Sequence, residues 1–290
     1  MKRASVIAIT HGGGPMPVIA PIMGDTGHEP LIESLKTRIP KLLKLGTPDA
    51  PRAIVVITPH WLPERPTISI AAEPPLLHDF EANFPPMVFE MKYKAPGSPE
   101  IAEEIYQAFS EAGLEPVKDC ERGWDHGIFV PFILINPSGD VPIIQVSIQR
   151  DEDPATHFKM GSALSKLRDT NVAVIGSGFG SFHNNTVMRQ LYYSDPASED
   201  VLHWRKLIAD WEEELGKAVL TRDPEERLKL LEEWRDIPHS YDIHPAGESE
   251  HLMPLLVCAG AVGSSEGKTF KDPFSGYEVT SYYWADGVTV

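Results

Sequence analysis

Hydrophobic residues in this chain follow two rhythms. Residues 4–10, 53–58, 66–70, 141–148 and 171–175 are short apolar runs rich in Val and Ile; such runs predict buried strands. Residues 31–45, 98–113 and 154–167 carry apolar residues at helical spacing. The helix over 98–113 has the plainest start, with Ser98 as cap, Pro99 in the first turn and Glu100 at the positive end of the dipole. Pro40 predicts a kink or break within 31–45.

Strand and helix alternate as far as residue 185, which predicts an α/β fold with a mostly parallel central sheet flanked by helices. Residues 73–97 are rich in Pro and aromatics and lack a period, so they form either a surface wrap or the wall of a pocket. Residues 197–236 are charged but keep Trp204, Leu207, Ile208, Trp211 and Leu215 at helical spacing, the pattern of a solvated helical layer with one buried face. An apolar helix over 245–260 and a closing strand over 276–283 complete the expectation. With no internal repeat or low-complexity linker, residues 1–290 read as a single domain.

In this fold class ligands bind beyond the carboxyl ends of the strands. Three of the apolar runs lead into a histidine there: His11, His60 and, through Gly176-Ser177-Gly178-Phe179-Gly180, His183. The glycines before His183 are expected to turn the backbone. His126 and His251 stand beside a turn glycine or open an apolar segment, which makes five candidate histidines. Imidazole is the commonest ligand for transition metals, and its pKa also suits it to acid–base work. Histidines 28, 157, 203, 239 and 244 have ordinary helical or solvent contexts, and His78 lies in the aperiodic segment.

Bulk properties narrow the classes. A net charge of −16 argues against a nucleic-acid or anionic-membrane surface. No apolar run approaches the roughly 20 residues that span a bilayer. Two cysteines form no disulfide framework, and the default location is cytoplasmic. The Gly12-Gly13-Gly14 loop lacks the Gly-Lys-Ser/Thr of a phosphate-binding loop, and neither a Gly-x-Ser-x-Gly elbow nor an H-E-x-x-H helix occurs.

Seven segments together resemble the class III extradiol ring-cleaving dioxygenases, most closely the 4,5-DOPA dioxygenase group. They are THGGGP (10–15), VVITPHW (55–61), FPPMVFEMKYKAPGSPEIA (84–102), DHGIFVPF (125–132), PIIQVSIQ (142–149), IGSGFGSFHN (175–184) and EHLMPLLVCAGA (250–261). The resemblance implies a non-haem metal, Fe(II) foremost with zinc as the alternative, on His11, His60 and His251. It implies His183 as catalytic acid–base and His126 as the group that positions substrate or oxygen. Substrate-binding candidates are His78 and Phe84 from the aperiodic segment and Asn184 beside His183. The partners implied are a catechol and O2. Glu250 is expected to point away from His251, off the far side of a helical turn. Two rivals remain at this point: a zinc hydrolase on the same scaffold, for which Glu250 is the one plausible base, and a non-enzymatic metal-binding protein.

Overall fold

The computed structural model describes residues 3–82, 84–274 and 276–290. Four runs of apolar residues become the parallel centre of one sheet: β1 (Val6–Thr10), β2 (Ala53–Thr58), β5 (Ile143–Ser147) and β6 (Val172–Gly178), every residue of them buried. β3 (Thr67–Ser69), β4 (Val117–Asp119), β7 (Lys268–Phe274) and β8 (Tyr277–Trp284) extend it, giving the order β4-β3-β5-β2-β6-β1-β8-β7 among the described residues. β3 and β8 join the centre antiparallel, and β7 pairs antiparallel with β8. β6 therefore lies between β1 and β2, with Thr10 beside Gly178 and Ile57 beside Gly176. Three parallel neighbours thus end side by side, and each runs on towards one of the strand-end histidines.

Helices cover both faces: α1 (Met16–Met23), α2 (Glu29–Glu33), α3 (Ile39–Leu43), α4 (Pro99–Glu111), α5 (His126–Ile135), α6 (Pro154–Leu164), α7 (Asn185–Tyr193), α8 (Glu199–Leu220), α9 (Pro224–Glu232), α10 (Ser240–Ile243) and α11 (Met253–Ala261). Ser98 caps α4 by accepting from the Ile101 amide, as the sequence predicts. Between α2 and α3 the helix does not break at Pro40. It widens into a π-helical segment, Ser34–Arg38, immediately before the proline. A π-turn absorbs the ring and the missing N–H of a proline by shifting the hydrogen-bond register ahead of it. No described helix is long and apolar enough to cross a membrane.

Two further expectations are corrected. The glycines after Ile175 do not turn the backbone, because Gly176 and Gly178 belong to β6. Their missing side chains admit a neighbour: a Cβ on Gly176 would collide with the Pro254 carbonyl, and one on Gly178 would sit 2.5 Å from the carbonyl oxygen of His251. α11 and the turn before it press directly on the sheet at these positions. The charged region 197–236 is also more than a solvated layer. α8 buries Ile208, Trp211 and Leu215, and the Trp211 indole donates to the Gly180 carbonyl at 3.3 Å. That contact braces the loop which carries His183.

Candidate active site

All five candidate histidines meet at the carboxyl end of β2-β6-β1. The rings of His11, His60 and His251 form a near-equilateral triangle, with centroids 5.2, 5.4 and 5.1 Å apart. His126 lies on His60 at 4.0 Å, and His183 lies on His251 at 3.5 Å with only 16° between the planes. The site is therefore a triangle of imidazoles with one further imidazole stacked on two of its corners. Donor atoms of His11, His60 and His126 fall within 4.8 Å of one another, as do those of His183, Glu250 and His251.

Each corner of the triangle is tied back through Nδ1. The Ser177 hydroxyl donates its only proton to the Gly127 carbonyl, so at 3.1 Å from His11 Nδ1 it can only accept. His60 Nδ1 faces Asp125 Oδ1 at 3.1 Å, and His251 Nδ1 faces Glu250 Oε1 at 2.8 Å. A proton on each Nδ1 leaves each Nε2 as a bare acceptor. Two of these, on His60 and His251, stand 3.2 Å apart with no proton to share. Two nitrogens bound to one ion at about 2.1 Å would be about 3.0 Å apart at a right angle and about 3.4 Å apart at the tetrahedral angle. The residues thus fit a metal, and the outer partners are those that orient metal-bound histidines.

His126 shares one metal-compatible group with His11 and His60, and His183 shares the other with His251 and Glu250, so each stacked pair offers two candidate imidazoles. His183 keeps a buried Nδ1 without a hydrogen-bond partner.

Electrostatics support the same picture. Burial, followed by repulsion from the neighbouring imidazoles, drives the pKa of His11 and His251 well below normal. Burial, then His244 and His60, lowers His183 to about 3. Metal binding requires such neutral imidazoles. Burial opposes ionisation of Asp125, but hydrogen bonds from His60 and Thr58 prevail and hold it well below the carboxylate range. That carboxylate also accepts from Thr58, Gln145 and the Gly127 amide, which makes it the anchor for His60. Burial raises Glu250 to about 7, with Glu152 and Glu248 adding to the shift.

The expectation for Glu250 is corrected here. His251 precedes α11 in a turn rather than lying in the helix, so the two adjacent side chains meet instead of diverging. Of the other expected residues, Phe84 packs 6.1 Å from Phe80, which in turn faces His126 at 5.6 Å. His78 donates through Nε2 to the Met91 carbonyl and so fastens its own segment. The Asn184 side-chain oxygen caps α7 by accepting from the Val187 amide, and its Nδ2 donates to the Asp242 carbonyl. Sequence reasoning missed Ser177, Asp125, Asp79 and Phe80. Only Asp125 carried a signal, as a helix-capping residue directly before His126.

Two outcomes follow. Gly178→Ala places a methyl against the His251 carbonyl, and overpacking of this kind costs about 1–3 kcal/mol. Its thermal midpoint should fall and its metal affinity should drop with it, whereas Gly13→Ala, with open space around it, should change neither beyond backbone effects. Calorimetry and chelator competition measure both. The second outcome concerns pH. His183 and His244 have folded-state values near 3 against an ordinary 6.5. Between those limits the unfolded chain binds protons that the folded chain refuses, so stability is full above pH 6.5 and is lost as pH falls towards 3. Metal-free protein should therefore melt at progressively lower temperature from pH 7 to pH 4.5, because the lowered imidazoles of His11, His183, His244 and His251 outweigh the opposing effect of the raised Glu250 carboxyl; a flat profile would contradict the neutral buried imidazoles.

Residues 6–284 match the family described as the catalytic LigB subunit of aromatic ring-opening dioxygenase. A dioxygenase, tasH, of Hapsidospora irregularis is 43% identical over 98% of this chain and 86% of its own length. The 4,5-DOPA dioxygenase extradiol of Beta vulgaris is 34% identical over 74% of this chain and 75% of its own. The protein of that name from Escherichia coli K12 is 31% identical over 87% of this chain and 86% of its own. The crystal structure of an uncharacterized Escherichia coli K12 protein, JW3007, shares the fold with a TM-score of 0.68 at 23% identity, covering 97% of this chain and 99% of that one.

Proposed function

We propose that this chain, which belongs to the family of the catalytic LigB subunit of aromatic ring-opening dioxygenases, cleaves the ring of a catechol beside its two hydroxyls, with Fe(II) held by His11, His60 and His251. The enzyme class, a metal-dependent dioxygenase of extradiol type, comes with the family. The observation that carries the rest is the pattern of three imidazoles tied back at Nδ1 and flanked by two that are not needed as ligands.

The metal supplies what the side chains lack, electron transfer between an aromatic ring and O2. The protein's own residues divide the remaining tasks. Ser177, Asp125 and Glu250 hold the three ligands in one tautomer. His183, neutral and stacked against His251, accepts a proton from a catechol hydroxyl and later returns it to the opening ring. His126 faces the same space from the opposite stacked pair and positions the substrate or O2. Phe80 and Phe84, packed edge to face, offer an apolar wall to a planar ring. Both oxygen atoms of O2 enter the product, one as the aldehyde and one as the carboxylate oxygen, so no external reductant is consumed.

The zinc-hydrolase reading is the weaker one, because Glu250 lies on the outer nitrogen of His251, on the side of the ring away from the triangle's centre. We place the protein in the cytoplasm, with small molecules as its partners, on the strength of its charge and composition. The test is an aerobic screen of catechols with protein loaded anaerobically with Fe(II). A yellow ring-opened semialdehyde from at least one catechol is expected. No product from any catechol, with metal bound at one per chain, would overturn the assignment.

A further inference from the structure

The aperiodic segment 73–97 is zipped to the start of α5. Leu76 bridges Trp124, and the Leu77 amide donates to the Trp124 carbonyl at 2.7 Å. His78 closes the segment on itself through the Met91 carbonyl. This brings Asp79, the next residue, against the first turn of α5. A single oxygen, Oδ1, accepts from the His126 backbone amide at 2.9 Å and lies 2.9 Å from His126 Nδ1. The approach to the ring nitrogen is off the N–H direction, so the contact is more electrostatic than a well-aligned hydrogen bond. Even so, a carboxylate oxygen at that distance repels a bare lone pair and favours a proton on Nδ1. Partial desolvation works to raise the Asp79 carboxyl, but its contacts with the His126 side chain and amide outweigh it and lower the pKa. On its other faces the ring meets His60 at 4.0 Å and Phe80 at 5.6 Å.

We propose that Asp79 is a positioning residue for the ring-opening reaction: it fixes His126 as the Nδ1–H tautomer, so that a bare Nε2 accepts a hydrogen bond from a catechol hydroxyl. The inference rests on the function proposed above but reads a different group from the metal triangle. It also joins substrate wall to substrate acceptor, since Asp79 and Phe80 are consecutive and flank the same imidazole. The reaction keeps its balance, because Asp79 takes no proton from substrate and forms no bond with it.

The first readout needs no turnover. Nitrogen-15 NMR of the histidine rings in zinc-loaded protein should show His126 as the Nδ1–H tautomer, and Asp79→Ala should convert it to a mixture. The second readout is kinetic: residues that orient a functional histidine are worth about 10–100-fold, so Asp79→Ala should lose that much kcat/KM at unchanged metal content. Asp79→Asn, which keeps an acceptor oxygen, should recover part of the loss. A double-mutant cycle separates positioning from mere anchoring of the segment. If Asp79 acts through His126, adding Asp79→Ala to His126→Ala costs nothing further. Equal losses in both backgrounds, or a tautomer unchanged by Asp79→Ala, would overturn the proposal. Absence of catechol cleavage by the unsubstituted protein would instead count against the function, and the NMR result would still decide the role of Asp79.

Discussion

Replacing His183 with Gln is expected to leave a folded, metal-loaded enzyme that binds catechol and scarcely turns it over. A general acid–base group typically contributes about 10²–10⁴-fold, so kcat should fall in that range while anaerobic substrate affinity stays within a few-fold. The reasoning is geometric. His183 is stacked on His251 at 3.5 Å and is neutral, with burial holding its pKa near 3. It can accept a proton but is not required to hold the ion. Metal content, anaerobic titration and steady-state kinetics on one preparation check all three parts. Loss of the metal in this variant would move His183 into the ligand set and displace His251 from it.

The second large effect is at His251 itself. His251→Ala removes one corner of the triangle and leaves the Nε2 of His60 without its facing partner at 3.2 Å. Metal content should fall from one per chain towards zero, and activity should vanish with it. Glu250→Gln should be milder. It keeps a group able to accept from His251 Nδ1 but loses the charge, and loss of such an outer partner typically costs about 10–100-fold in metal affinity or activity. If the two variants are reversed in severity, with Glu250→Gln empty and His251→Ala loaded, the carboxylate is the third ligand.

The central strands were legible because apolar β-branched runs of four to eight residues have few other uses. The convergence of His11, His60 and His183 then follows from parallel packing, whereas the strand order is seen only in the structure. Side-chain-free positions were harder. Gly176 and Gly178 looked like turn residues, yet they serve the close approach of α11, which depends on a segment about 75 residues further along the chain. The helix expected over 245–260 contains His251, whereas α11 begins at Met253 and His251 lies in the turn before it. The same error misdirected Glu250. β7 was missed because Lys268, Lys271, Asp272 and Pro273 break an apolar pattern. On this edge strand Lys271 and Pro273 lie on the exposed face, where a proline is tolerated, whereas Asp272 is buried between Phe270 and Phe274 and accepts from Ser34 and Arg38. Asp79, Asp125 and Ser177 gave little warning, since an outer partner is defined by the imidazole it reaches across the fold rather than by its neighbours in sequence.

The claim that this protein is a ring-opening dioxygenase is tested most directly by the fate of molecular oxygen. Fe(II)-loaded protein would be mixed with a catechol under ¹⁸O2, the product reduced at once with borohydride to stop exchange at the aldehyde, and the mass measured. Two labelled atoms in a single ring-opened product, one in the carboxylate and one in the new alcohol, are the expected result. Oxygen derived only from water would identify a hydrolytic enzyme and contradict the account.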